Sequence, residues 1–91
     1  MVVFETVVAS PVGLHARPAA NFVKKVAASG LKVTIEPIVD GQPAAKADGK
    51  SILSVLALGV KSGTTVRVTI EGDDTATLEA ELKEILADPE G

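Results

Sequence analysis

His15 is the single histidine of a 91-residue chain, and Arg17 stands two residues beyond it, just before Pro18. No Ser, Thr, Asp or Asn occurs from Val12 to Pro18 to cap the helix whose start Pro18 marks, so the first backbone donors of that helix have no side-chain acceptor. With His15 as the N-cap, Pro18 falls at the third helical position, where its missing N–H would not be bonded within the helix. The amides just before it then point outward and carry the positive end of the helix dipole. Arg17 adds a planar cationic fork matched to phosphate oxygens. A neutral imidazole in such a place is a competent nucleophile toward a phosphoryl group. The predicted product is phosphohistidine, its oxygens held by Arg17 and by the helix amides that begin at Ala16. A Ser-His-Asp hydrolase is the competing use of one histidine, but the chain carries no GxSxG segment.

A second cluster is apolar. Ile52, Leu53, Val55, Leu56, Ala57 and Leu58 follow Ser51 and end at Gly59, a short helix with Ser51 as its natural N-cap. Such a helix is apolar nearly all round, whereas a helix lying on a sheet buries one face. Helical spacing puts Val55 and Leu58 on one side, assigned to the core, and Ile52, Leu53 and Leu56 on another, assigned to a docking patch. With Ala20 and Lys24 on the first helix, this patch makes the predicted partner-binding surface. Burial of the same patch in a dimer is the alternative; a monomer is expected.

The elements that must position these residues follow from hydrophobic period. Phe4, Thr6 and Val8 alternate with Val3, Glu5 and Val7 as a first strand. Ala16, Ala19, Ala20, Val23, Val26 and Ala27 recur at helical spacing until Ser29 and Gly30. Leu31, Val33 and Ile35 begin a second strand, and Asp40–Gly41 turns the chain toward a weak third strand near Ala44 to Ala47. Pro37 and Pro43 predict that this hairpin lies at a sheet edge. Val66, Val68 and Ile70 alternate as a fourth strand, after which Asp73 or Asp74 caps a helix striped by Leu78, Leu82, Ile85 and Leu86, with Glu79 and Lys83 paired on its surface. The order β-α-β-β-α-β-α satisfies burial as a single two-layer α+β domain over residues 1–91, its helices on one face of a largely antiparallel sheet.

Composition closes several classes of function. The chain has no cysteine and so no thiolate nucleophile, disulfide or Cys-bearing zinc site, and one histidine excludes multi-histidine metal centres; no cofactor is expected. A net charge of -3 with Phe4 and Phe22 as the only aromatics argues against nucleic acid as a partner. The longest stretch without charge or histidine, Ser51 to Val60, falls far short of the roughly 20 residues a spanning helix needs, and no basic side chain precedes Arg17, so no membrane insertion is expected and a cytoplasmic protein is. No acid lies between Glu5 and Glu36, an interval holding Arg17, Lys24, Lys25 and Lys32, while eight acids and one base occupy the chain from Glu71 onward. This predicts a positive side around the first helix and a negative side at the last.

Gly13, Leu14, His15, Ala16, Arg17 and Pro18 resemble the active-site segment of the histidine-containing phosphocarrier (HPr) family of the phosphoenolpyruvate-dependent sugar phosphotransferase system. Lys50, Ser51, Ile52 and Leu53, leading to Leu58 and Gly59, resemble its second motif, and the likeness runs from about Phe4 to Leu86. The resemblance implies an open-faced β-sandwich with a four-stranded antiparallel sheet and three helices on one face. It also implies phosphorylation of His15 on Nδ1 by enzyme I, a steadying role for Arg17, and onward transfer to enzyme IIA components, so that the chain relays a group without completing a reaction alone. In many low-GC Gram-positive members the serine matched by Ser51 is the target of a regulatory kinase; a plain helix cap is the alternative role here. The stretch from Pro37 to Gly49 departs from common members by a few extra residues. The runner-up reading is a ferredoxin-like or related module that binds a small anion at the uncapped helix without covalent chemistry.

Overall fold

The computed structural model describes residues 1–89. Along the chain run β1 (Val2–Val7), α1 (Ala16–Ser29), β2 (Lys32–Val39), β3 (Gln42–Pro43), β4 (Ala47–Asp48), α2 (Ile52–Ala57), β5 (Thr65–Glu71) and α3 (Ala76–Ala87). All pairings are antiparallel, in the order β1-β5-β2-β3, with β4 also on β2. This is the open α+β sandwich expected. β5 is central because its β-branched residues alternate cleanly: Val66, Val68 and Ile70 are fully buried, and they face Val33 and Ile35 of β2 and Phe4 of β1 inside the same layer.

The third expected strand is split in two. Ile38 faces Pro43 whereas Ile35 faces Ala47, so three steps along β2 (38 − 35) oppose four along its partner (47 − 43), a one-residue bulge. Pro37 explains where it falls. Its carbonyl accepts from the Ala44 amide at 2.9 Å, but it has no N–H with which to return the bond, and the ladder stops there. The edge position predicted from the two prolines therefore holds for Pro43 but not for Pro37, since β2 runs between β5 and the β3–β4 pair. The Asp40–Gly41 turn forms as predicted, with φ of 52° and 79°, the left-handed pair of a tight hairpin.

On the helical layer, α1 buries Pro18, Ala19, Phe22 and Val26, while Ala16, Ala20 and Ala27 of the predicted stripe are exposed. The aromatic ring decided the helix's rotation: burying Phe22 removes far more apolar surface from water than burying alanines one turn away. Gly30, at φ 69°, ends α1. In α3, Leu78, Leu82 and Leu86 are buried and Ile85 partly so. Its N-cap is Thr75, not Asp73 or Asp74; Asp74 sits at φ 59° and is spent turning the chain. Lys83 bonds Glu79 at 2.7 Å and lies 5.1 Å from the Phe4 ring centroid, which ties α3 over β1.

Candidate functional site

His15 is the N-cap of α1 in extended backbone (φ -90°, ψ -169°), and its side chain makes no capping bond. Its carbonyl accepts from the Ala19 amide at 3.0 Å, which starts the helix, and its own amide donates to the Gly13 carbonyl at 3.0 Å. Pro18 therefore stands at the third helical position, buried, and the amides of Ala16 and Arg17 have no acceptor among the described residues. His15 is half-buried and Arg17 exposed, on either side of Ala16 in the chain, and Arg17 enters no ion pair among the described residues. One turn-start thus gathers an aromatic nitrogen base, a guanidinium and two backbone donors at a positive dipole end, a set suited to a tetrahedral oxyanion.

The loop carrying His15 is held from outside its own element. The Leu14 amide donates to the Val60 carbonyl at 3.0 Å, Leu14 is buried, and Gly13 adopts φ 76° so close to that carbonyl that a Cβ would run into it. Ser10, buried and with its hydroxyl unpartnered among the described residues, closes a turn by accepting the Gly13 amide at 3.0 Å on its carbonyl. Nothing in the local sequence pairs Gly13 with Val60; only the fold does.

Ala16, Ala20 and Lys24 lie exposed at four-residue intervals along α1, and α1 packs against α2. On α2, Leu53 is 78% exposed, whereas Ile52 and Leu56 are partly buried against the core. Val55 is buried, but Leu58, assigned to the core with it, is only half-buried. The Ser51 hydroxyl accepts the Ser54 amide at 3.2 Å, a working N-cap, and the Lys50 amide donates to Asp48 Oδ1 at 2.9 Å.

Charge does not separate as the linear order predicted. α1 and α3 are neighbours, Lys25 Nζ pairs with Glu81 Oε2 at 2.7 Å, and Lys32 pairs with Glu71 at 3.7 Å. Hydrogen bonding and charge from Glu81, with a smaller share from Glu84, hold the Lys25 ammonium above the ordinary lysine range. Among the described residues no helix is long and apolar enough to cross a membrane, and no three His, Cys, Asp or Glu side chains gather as a metal site.

A family model described as the PTS HPr component phosphorylation site matches residues 2–88. The chain belongs to the HPr family. It is 35% identical over 86 residues to the phosphocarrier protein HPr of Borreliella burgdorferi, covering 94% of each chain. Among solved structures, a histidine-containing phosphocarrier protein of Mycoplasma superposes with a TM-score of 0.82 at 28% identity, over 96% of this chain and 93% of that one. An HPr from Thermoanaerobacter tengcongensis gives 0.80 at 31% identity, over 94% and 91%. As an HPr-family protein the chain is a phosphocarrier of the phosphotransferase system.

Proposed function

We propose that His15 is the residue that carries the phosphoryl group, received from enzyme I and passed to enzyme IIA components. The observation that carries the reading is the geometry of His15: an N-cap whose imidazole leaves the first-turn donors of α1 uncommitted among the described residues. On loading, a ring nitrogen of His15 forms a bond to phosphorus as the bond from phosphorus to enzyme I breaks. On onward transfer that nitrogen–phosphorus bond breaks as the enzyme IIA component bonds phosphorus. The bonding pair leaves with the donor, and the other ring nitrogen keeps its proton. The Ala16 and Arg17 amides and the Arg17 guanidinium then take up the charge on the phosphoryl oxygens. By the family resemblance the nitrogen is Nδ1.

Around this centre Ala20 and Lys24 on α1 and Ile52, Leu53 and Leu56 on α2 meet the partners, with Leu53 offering the most accessible apolar surface. Ser51 is a helix cap on which a regulatory kinase can act, since a phosphate there would sit at a helix start beside Lys50. The carrier works as one monomeric domain in the cytoplasm. Incubation with phosphoenolpyruvate and enzyme I, followed by intact mass before and after mild acid, tests the reading. A single acid-labile phosphoryl adduct lost in His15→Ala is expected; absence of an adduct on the wild-type chain would favour a module that only binds anions.

A further inference from the structure

We propose that the Asp40–Gly41 peptide, at the tip of the β2–β3 hairpin, is a site of spontaneous covalent modification, where the chain rearranges through a cyclic imide to isoaspartate. The inference does not depend on which residue carries the phosphoryl group. Asp-Gly occurs twice in the sequence, at 40–41 and at 48–49, and in both places the glycine leaves the attacking amide unhindered by a side chain. The sequence ranks the two pairs equally, and the structure separates them.

At Asp48–Gly49 the reacting groups are committed. Asp48 Oδ1 accepts the Lys50 amide at 2.9 Å, the Asp48 carbonyl accepts the Ser51 amide at 3.0 Å, and the Gly49 amide donates to the Val33 carbonyl at 2.8 Å. Gly49 is also buried, so close to Val33 that a Cβ would lie 3.0 Å from its side chain. Attack of the Gly49 nitrogen on Asp48 Cγ requires all three bonds to be given up.

None of these restraints acts on Asp40–Gly41. Among the described residues the Asp40 carboxyl enters no hydrogen bond or ion pair and the Gly41 amide has no acceptor. Both residues are exposed, within an exposed run from Val39 to Lys46, and a Cβ on Gly41 would meet nothing within 4 Å. The returning strand β3 is two residues long at the sheet edge. The ladder beneath it is thin, because the Ala44 amide bonds to the Pro37 carbonyl at 2.9 Å and Pro37 has no N–H with which to return the bond. Opening the tip therefore breaks few contacts, and it supplies the backbone rotation the reaction needs.

In the open tip the Gly41 nitrogen bonds to Asp40 Cγ, and the amide proton and the carboxyl hydroxyl leave together as water, which closes the imide. Water then adds to one of the two imide carbonyls. Cleavage of the bond from nitrogen to Cγ restores aspartate; cleavage of the bond from nitrogen to the Asp40 main-chain carbonyl carbon gives isoaspartate, with the main chain running through Cβ and Cγ. Nothing is oxidised or reduced, and the mass of the chain is unchanged. The product carries an extra backbone carbon in the turn, so the pairing of Val39 with Gln42 that closes the hairpin loses its register.

The test incubates the full wild-type chain in mildly acidic buffer, folded and in parallel in urea, and follows isoaspartate by fragmentation of tryptic peptides. Cleavage after Lys32, Lys46 and Lys50 puts the two pairs in separate peptides, 33–46 and 47–50. A melt run beside the incubation checks that the folded sample stays folded. In the folded chain isoaspartate should form in 33–46 at least about ten-fold faster than in 47–50, whereas in urea the two rates should agree within about three-fold. Equal rates in the folded chain would overturn the proposal, as would a folded rate at 40–41 more than about ten-fold below the rate of the same peptide in urea.

Discussion

Lys25 Nζ reaches Glu81 Oε2 at 2.7 Å, joining the basic helix α1 to the acidic helix α3 across the groove between them. The two stretches that carry most of the opposite charge in the sequence are thus neighbours, and part of their charge is neutralised locally. Arg17 and Lys24 remain on α1 outside the ion pairs formed among the described residues. The α1 cations outside those pairs are therefore Arg17, in its first turn, and Lys24, about two turns further on.

The pair has a defined pH signature. Because Glu81 raises the Lys25 pKa above 10.5, its contribution is fully present below that value and is lost as pH climbs through the higher folded-state value. Glu81→Gln should lower Tm by no more than about 4 °C near neutrality, and the gap from wild type should close in the strongly alkaline range. Thermal melts at neutral pH and above pH 11 check this; a constant gap would assign the loss to something other than the ion pair.

His15→Ala should accept no phosphoryl group while keeping a cooperative melt, because the imidazole makes no capping bond that the fold depends on. Arg17→Ala should still be phosphorylated, at a rate lower by roughly ten-fold or more, since a charge-assisted contact to the oxyanion is lost. Quench-flow with a labelled donor measures both. Acid-labile label on the His15 variant would place the carrier site elsewhere.

Leu53 and Leu56 should respond differently to the same change. Leu53→Glu, at a position 78% exposed, should leave Tm within a few degrees of wild type and weaken docking to donor and acceptor. Leu56→Glu should weaken docking and also destabilise the fold by about 1–3 kcal/mol, because Leu56 packs partly against the core. Equal stability losses in the two variants would mean that both side chains serve the core alone.

Ser51→Ala should cost about 1 kcal/mol by removing the acceptor for the Ser54 amide. Ser51→Asp keeps an acceptor and adds a favourable charge at the helix start, so it should fold as well as wild type. Its negative charge beside Ile52 and Leu53 should slow phosphoryl transfer to His15 at low ionic strength, with part of the rate restored by salt. Wild-type transfer by Ser51→Asp at low salt would leave Ser51 as a helix cap only.

What the sequence determined alone is what depends on neighbours along the chain. His15 as N-cap follows from Pro18 at the third helical position and from the lack of a capping side chain after Val12; the Asp40–Gly41 turn and the Ser51 cap are equally local. The buried period of β5 required only alternation. Tertiary structure decided what depends on competition for one core. Phe22 outweighed the alanines and set which face of α1 turns inward, leaving Ala16 and Ala20 on the surface beside His15. Pro37, in a strand paired on both sides, turned a simple hairpin into a bulge, because its missing donor faces the returning strand. The Thr75 cap of α3 depended on Asp74 adopting φ 59°, and the Lys25–Glu81 pair on two helices far apart in the chain being packed side by side. The clamp of Gly13 and Leu14 on Val60 belongs with these: it is a contact across 46 residues (60 − 14), and no local period encodes where two loops meet once the core beneath them has closed.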